Sequence, residues 1–271
     1  MSPRLFWSVA SLEARTHLSY RFNFWLNALV GFLVELAIAW FLWDAVFRVA
    51  EEPTIGGRDF DGTLVYYLAV ILLAKLVRGR EFEGAVSHDI YEGGLNRYLV
   101  FPAPYVPFKL AQRLGSMLAP GIAQMVLFGA FAAVFFRVPE AMRPTAASAL
   151  GALAAVAMAS LLYFLMDAAI HMVAFWADNV WSLDVAKWFV ASLLGGYMLP
   201  LSVFPDWAQR PLELLPFRFF FDFPARVLVR EIGPGEWALG MALCAFWCLV
   251  CAGICRWIWR RGQLTYTGIG I

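Results

Sequence analysis

Long apolar runs with very few charges restrict what this chain can fold into. One of them, LVGFLVELAIAWFLW at residues 29–43, contains a single charged side chain. A helix of about twenty apolar residues crosses the roughly 30 Å hydrocarbon layer of a bilayer. The runs lack the alternation of a barrel strand, and only a helix satisfies its own backbone over such a length in lipid. Since 62% of the residues are hydrophobic and 15% are charged, we predict an all-α polytopic membrane protein.

The distribution of these runs predicts one transmembrane domain, residues 1–271, with six spans. The spans cover residues 22–47, 62–78, 115–136, 145–176, 183–204 and 236–259. Residues 1–21 carry apolar side chains at intervals of three and four, which predicts an amphipathic helix lying on the membrane surface. An ordinary flanking segment is the alternative.

The positions of Lys and Arg predict the orientation of the spans. Basic residues are enriched in cytoplasmic segments. If both termini are cytoplasmic, 13 of the 21 basic residues lie inside, and the outer loop AEEPTIGGRDFDG is net acidic. We therefore expect both termini in the cytoplasm.

A polar segment, residues 81–105, separates the second and third predicted spans. It contains IYEGGLNRYLVFPAP, in which paired glycines allow the backbone to turn and two prolines end any helix. The residues that we expect to form a docking site are Ile90, Tyr91, Glu92, Gly93, Gly94, Leu95, Asn96, Arg97 and Tyr98. The apolar members form the expected anchor, with Glu92 and Arg97 at its rim. A helix packed on its own bundle is the alternative.

Residues 205–235 form a second unusual segment, because prolines interrupt an aromatic-rich run. A single helix does not accommodate that many prolines. We expect short helices that enter the outer membrane interface and return as a re-entrant hairpin; a structured outer loop is the alternative. Its candidate residues are Pro205, Trp207, Pro216, Phe217, Arg218 and Asp222. Arg218, Asp222 and Arg226 are spaced to form a ladder of charges along a helix.

Glu35 lies halfway along the first predicted span. A carboxylate at that depth costs at least a few kcal/mol unless it is protonated, paired or in contact with water, so we expect it to point into the protein. Gln124 in the third span is a candidate partner. Two interpretations stay open: a polar group on the substrate path or at a dimer seam, or a neutral glutamate hydrogen-bonded for packing.

The sequence offers little catalytic chemistry. It contains no phosphate-binding G-x-x-x-x-G-K-[ST] loop and no H-E-x-x-H motif. Asp167 and His171 are four residues apart, and an interfacial hydrogen-bonded pair is a better interpretation than a metal site or proton relay. Four cysteines lie along one helical face, where a helix spreads them too far apart for one ion; they are Cys244, Cys248, Cys251 and Cys255. We expect a packing stripe, and no catalytic, cofactor-binding or metal-binding residue.

Two motifs carry a resemblance to a known family. The first loop matches an "I..G.L..YL..P" pattern with Ile90, Gly93, Leu95, Tyr98, Leu99 and Pro102. A later "G..lPl..fP.w......lPF" pattern is matched by Gly196, Pro200, Leu201, Phe204, Pro205, Trp207, Pro216 and Phe217. With six predicted spans, the chain resembles ABC-2-type permeases, the membrane subunits of ATP-driven exporters, and in particular a six-span bacterial group of transport permeases.

The resemblance implies a function and a set of partners. Residues 90–98 would be the coupling helix that docks on a separate ATPase, which binds ATP and Mg. The complex would contain two ATPase copies and a second permease, identical or related, in the lipid of a bacterial plasma (inner) membrane, with no role for nucleic acid. The chain itself would not be an enzyme, and the substrate would be amphipathic or hydrophobic. An ion-coupled secondary transporter and, less favoured, a lipid-modifying membrane enzyme are the alternatives.

Overall fold

A computed structural model describes residues 1–17, 21–79, 85–101, 103–135 and 138–266, and its regular elements are helices. The helices are α1 (Pro3–His17), α2 (Arg21–Ala50), α3 (Phe60–Arg78), α4 (Ala85–Tyr91), α5 (Leu95–Leu99), α6 (Tyr105–Phe135), α7 (Ala146–His171), α8 (Trp181–Leu194), α9 (Asp206–Leu214), α10 (Asp222–Leu228) and α11 (Pro234–Thr265). Short 3₁₀ turns occupy Glu140–Met142, Met172–Phe175, Leu201–Val203 and Pro216–Phe219. The predicted all-helical class is confirmed.

Within the described residues, 5 helices are long and apolar enough to cross a membrane: α2, α3, α6, α7 and α11. They correspond to the predicted spans that begin at residues 22, 62, 115, 145 and 236, although α7 ends at His171 and its span was predicted to reach residue 176. Helix α6 begins at Tyr105, well before the predicted start of the third span. The early start matters because it brings the first turns of α6 to the segment that carries α4 and α5.

The prediction of one continuous helix over residues 183–204 was wrong. Helix α8 has 14 residues, which gives a length of about 21 Å. The chain then turns at Gly196, whose φ of +86° favours glycine. A Cβ at Gly196 would lie 2.7 Å from the Tyr66 hydroxyl oxygen, so close packing also requires glycine here. The apolar composition continued past the turn and concealed it.

Helix α3 forms the centre of the bundle. Its side chains are buried from Gly62 to Ala74, and it packs against α2, α6, α7 and α10. Fully buried residues occur in both halves of the helix, for example Tyr66 in the first half and Val77 in the last turn. We call the end of the bundle that carries α4 and α5 the proximal end, and the opposite end, near the start of α3, the distal end.

Helices α9 and α10 form a hairpin that begins at the distal end. The tip of this hairpin contacts the middle of α11, where the Trp247 indole donates a hydrogen bond to the Leu214 carbonyl at 2.9 Å. On its other side, the Phe220 ring lies 5.2 Å from the ring of Tyr163 on α7. The hairpin therefore extends between helices long enough to span a membrane. Its re-entrant position relative to lipid stays a prediction.

Helix α1 lies directly against α6. The backbones meet where a Cβ on Gly115 would lie 2.1 Å from the Ala10 carbonyl oxygen. Ala10 is buried in this contact, whereas Trp7 and Leu12 are exposed. The helix predicted in residues 1–21 is thus present over Pro3–His17, and its location on a membrane surface stays a prediction.

The contact between α1 and α6 predicts the effect of a one-methyl substitution. Gly115→Ala places a carbon against backbone atoms that cannot move unless α1 is displaced, at a cost of about 1–3 kcal/mol. We expect faster proteolysis within α1 of the purified protein. Gly129→Ala on the same helix is the control, because no atom lies within 4 Å of its new carbon. Equal protection of α1 in both variants would contradict the described packing.

Candidate functional site

Helices α4 and α5 bury the side chains that the sequence suggested as an exposed anchor. Ile90, Leu95 and Tyr98 are 1%, 0% and 9% exposed, and all three belong to the main core of the bundle. Tyr91 is half-buried and donates a hydrogen bond to the Ala177 carbonyl at 3.0 Å. The expectation that these residues present an open anchor is therefore wrong for Ile90, Leu95 and Tyr98. A docking role for the segment as a whole stays a prediction.

The other face of the segment is exposed and combines charges with an apolar tip. Glu92, Asn96 and Arg97 are exposed, and Gly93 provides the turn between the two helices with a φ of +70°. Gly94 precedes α5 and packs beside Asp89. Beyond Tyr98 the chain exposes three apolar side chains, which we call the exposed tip: Leu99, Val100 and Phe101. The exposure of this run was not predicted from the sequence.

A buried ion pair fastens α4 and α5 to α6. The Lys109 ammonium nitrogen lies 2.6 Å from Asp89 Oδ2, and both side chains are about 95% buried. The Tyr105 hydroxyl donates to the same oxygen at 2.8 Å, and Arg97 donates to Oδ1 at 3.3 Å. Buried charges persist only when paired and hydrogen-bonded. Asp89 therefore determines how the segment sits on α6.

A second buried network connects α4 to α7 and α8. The Lys187 ammonium on α8 contacts Asp167 on α7 and lies 2.7 Å from Asp184. His171 Nε2 lies 3.5 Å from both carboxylates, and its Nδ1 shares a hydrogen bond with the Ser87 hydroxyl of α4 at 3.1 Å. Proximal ends of three helices are thus linked by polar side chains.

The second network contains side chains of the types that bind metal ions. Asp167, His171 and Asp184 present ligand atoms within 4.8 Å of one another. The Lys187 ammonium contacts both carboxylates, so a positive charge already occupies the place that a cation would take. The interpretation of Asp167 and His171 as a hydrogen-bonded polar pair fits this arrangement better than a metal site.

Glu35 pairs with a lysine of α3 rather than with the expected Gln124. The Lys75 ammonium donates to Glu35 Oε1 at 2.5 Å, and the two side chains are 31% and 27% exposed. Gln124 is buried on α6. The second carboxylate oxygen of Glu35 has no hydrogen-bond partner among the described residues. That Lys75 of α3 is the partner of Glu35 was not predicted from the sequence.

The candidate residues of the hairpin fall into exposed and buried sets. Pro205 precedes α9, and Trp207 in its first turn is 80% exposed. Pro216 begins a 3₁₀ turn and is buried, and Phe217 beside it is half-buried. Arg218 is buried and donates to the Glu213 carbonyl at 3.2 Å. These positions shape the hairpin. The structure brings Pro205, Trp207, Pro216 and Phe217 into no polar cluster of the described residues.

Asp222 belongs to a polar cluster at the distal end. Its Oδ1 accepts a hydrogen bond from the Tyr66 hydroxyl at 2.9 Å. The Arg226 guanidinium lies 3.8 Å from its Oδ2, so the predicted ladder is present between these two residues. Burial raises the pKa of the Asp222 carboxyl above its ordinary value, and the guanidinium groups of Arg226 and Arg218 oppose that rise.

A cleft of about 580 Å³ opens beside this cluster at the distal end. Arg58 in the loop between α2 and α3 crosses it, donating to the two oxygens of Glu231 at 2.6 and 2.5 Å and to the Ser202 hydroxyl at 3.0 Å. These contacts join three loops that are far apart in the sequence. We call this site the distal cleft.

The four cysteines lie in the interface between α11 and α7. All are buried, and Cys255 donates to the Leu165 carbonyl at 3.0 Å. Cys248 makes a longer contact with the Met158 carbonyl at 3.8 Å. Their arrangement agrees with the expected packing stripe.

The ion pair between α4 and α6 predicts that one substitution, at Asp89, will strongly destabilise the protein. Asp89→Ala leaves the Lys109 ammonium buried without its carboxylate and should destabilise the protein by about 3–5 kcal/mol. Glu92→Ala on the exposed face is the control and should change stability by no more than about 0.5 kcal/mol. Thermal unfolding of both variants in the same lipid measures the difference. Similar unfolding temperatures would show that the pair does not hold the segment.

The pair of α2 and α3 predicts a rescue. Glu35→Leu should lower stability by roughly 1–3 kcal/mol, since Lys75 loses its acceptor, and Glu35→Gln should be milder because an acceptor remains. Adding Lys75→Met to Glu35→Leu should restore part of the loss, because the unpaired charge is removed. The test is a double-mutant cycle on unfolding temperature. A strictly additive cycle would exclude coupling between the two side chains.

Comparison with known proteins identifies a family for most of the chain. A family model described as "ABC-2 family transporter protein" matches residues 33–270. No curated protein matches the chain. The match covers every helix from α3 to α11 and most of α2.

Proposed function

Because the chain belongs to the ABC-2 transporter family, we propose that it is the permease subunit of an exporter driven by a separate ATPase. Its long apolar helices and its family identify a multi-pass transport protein of the ABC class. The observation that carries the ATPase docking proposal is the α4–α5 segment, which is fixed to the bundle on one face and exposed on the other.

The exposed tip is the best candidate for contact with the ATPase. Val100 is 83% exposed although it is apolar, and Leu99 and Phe101 beside it are about half exposed. Interfaces of this kind rely on a few apolar anchors, while charges at the rim set orientation and rate. Glu92 and Arg97, with side chains 65% and 66% exposed, lie on the same segment and would form that rim.

The buried networks supply a route from the docked segment to the membrane helices. Asp89 ties α4 to Lys109 of α6, and Ser87 ties α4 to His171 of α7. Lys187 extends the connection to α8 through Asp167. A displacement of the segment on ATP binding would move these three helices together. ATP favours whichever arrangement of the complex binds it more tightly.

The remaining arrangement follows from the same proposal. The proximal end and both termini would face the cytoplasm of a bacterial inner membrane, and ATP and Mg would be bound by two ATPase copies. A second permease, identical or related, would complete the complex. Helix α8, the turn at Gly196 and the 3₁₀ turn Leu201–Val203 would together form a sixth crossing. Helices α9 and α10 would form the re-entrant hairpin.

The Glu35 and Lys75 pair is our candidate for contact with substrate. Both side chains are partly exposed at a surface made of long apolar helices. A paired charge at such a depth is costly and marks a functional position more often than a packing position. An amphipathic substrate would offer one polar group to this pair and apolar surface to the helices around it.

Two variants of equal exposure test the docking surface. Val100→Asp places a charge at the exposed tip, and we expect it to reduce copurification of the ATPase at least about tenfold, the equivalent of one lost anchor contact. The control is Val49→Asp at the distal end of α2. Val49 is 85% exposed and Val100 is 83% exposed, so the two substitutions place a charge at equally accessible positions. Equal recovery of the ATPase with both variants would place the docking surface elsewhere.

A further inference from the structure

Asp222 combines near-complete burial with an unused hydrogen-bonding atom at the wall of the distal cleft. The side chain lines the cleft and is 1% exposed. Its Oδ1 accepts from Tyr66, whereas Oδ2 has no hydrogen-bond partner among the described residues. A buried acceptor without a donor is costly. The position is therefore suited to a ligand that brings a donor.

The charges around the cleft favour a positively charged donor. Four carboxylates line it, Asp59, Glu213, Asp222 and Glu231, against two guanidinium groups, Arg58 and Arg226. Glu231 is neutralised by two hydrogen bonds from Arg58, and Asp59 accepts from the Gly62 amide at the start of α3. With Glu231 offset by Arg58, the carboxylates of Asp59, Glu213 and Asp222 are opposed among the lining residues by the one guanidinium of Arg226, so the lining keeps a net negative charge. Arg218, which does not line the cleft, also acts on Asp222.

Arg226 does not saturate this negative charge. Its guanidinium nitrogens lie 3.8 Å from Asp222, 3.4 Å from Glu231 and 3.9 Å from Glu236. These separations are longer than hydrogen bonds, so Arg226 leaves the hydrogen-bonding capacity of Asp222 Oδ2 unused. A donor that entered beside it would reach Asp222 Oδ2.

A metal ion fits this cleft less well than an organic cation. The described residues contain one group of three His, Cys, Asp or Glu ligands close enough to share an ion, and it lies in α7 and α8 rather than here. The cleft of about 580 Å³ has the size of a typical small-molecule site. An ammonium group offers several N–H donors with one positive charge, which matches the unpaired acceptor and the remaining charge.

We propose that the distal cleft binds the ammonium group of an amine-bearing ligand, with Asp222 as its acceptor and Glu213 as the second carboxylate. The ammonium comes either from a small amine in water or from the head group of an aminophospholipid. The inference stands on the cleft alone and does not depend on the ATPase. Binding to the isolated full-length chain therefore tests it separately from the proposed transport function.

The test is equilibrium binding of radiolabelled ethanolamine to the full-length chain in phosphatidylcholine nanodiscs. We expect saturable binding that ethanolamine analogues with an ammonium group displace and that ethylene glycol, of the same size without the charge, does not. Asp222→Asn should weaken binding at least about tenfold, because it removes the charge and keeps the shape. Asp206→Asn, the same exchange at an exposed position of α9 outside the cleft, should leave binding unchanged.

Two further arms define the remaining outcomes. Glu213→Gln, at a less buried position, should also weaken binding and keeps the test valid if Asp222→Asn does not fold. Nanodiscs that contain phosphatidylethanolamine separate the sources: reduced ethanolamine binding identifies the lipid head group, and unchanged binding identifies a small amine. Displacement by ethylene glycol, an unchanged affinity in the Asp222 and Glu213 variants, or the absence of saturable binding would overturn the proposal.

Discussion

The buried ion pair between Asp89 and Lys109 determines how the proximal end of this protein is built. Each charge would be costly alone in the core, and together they are stable only in a fixed geometry. Tyr105 and Arg97 complete the shell around Asp89. As a result, a segment of two very short helices, which would not be stable in isolation, becomes a rigid part of a membrane bundle.

This attachment gives the two faces of the segment different tasks. Leu95 and Tyr98 pack into the bundle, so their substitution would loosen the segment from its own chain before it affected any partner. Val100 is 83% exposed, so its substitution would change a contact with a partner with little loss of fold, whereas the half-exposed Phe101 still contacts the ring of Phe108 on α6. Under the proposed function, affinity for the ATPase and transmission of movement would therefore be carried by separate side chains of one short stretch.

The sequence predicted those features that depend on local composition. Apolar runs identified the long helices, because lipid requires them to be apolar along their whole length. The break at Gly196 was missed because the apolar run continues beyond it, and the φ of a glycine is not visible in composition. The partner of Glu35 was missed because Lys75 lies on another helix, and which helices are neighbours is decided by packing. The role of Asp89 was not predicted from the sequence for the same reason, since its partner Lys109 lies on another helix.

The flat stack of Tyr105 and Trp259 has a consequence for the biogenesis of the protein. Their rings are parallel within 5° at a centroid distance of 4.8 Å, and they join the first residue of α6 to the last turns of α11. During synthesis, α6 enters the membrane long before α11 leaves the ribosome. The Tyr105 ring can therefore acquire this partner only after α11 has been synthesised. A chain that stalled before Trp259 would carry the earlier helices with the α11-facing side of the Tyr105 ring uncovered at the proximal end.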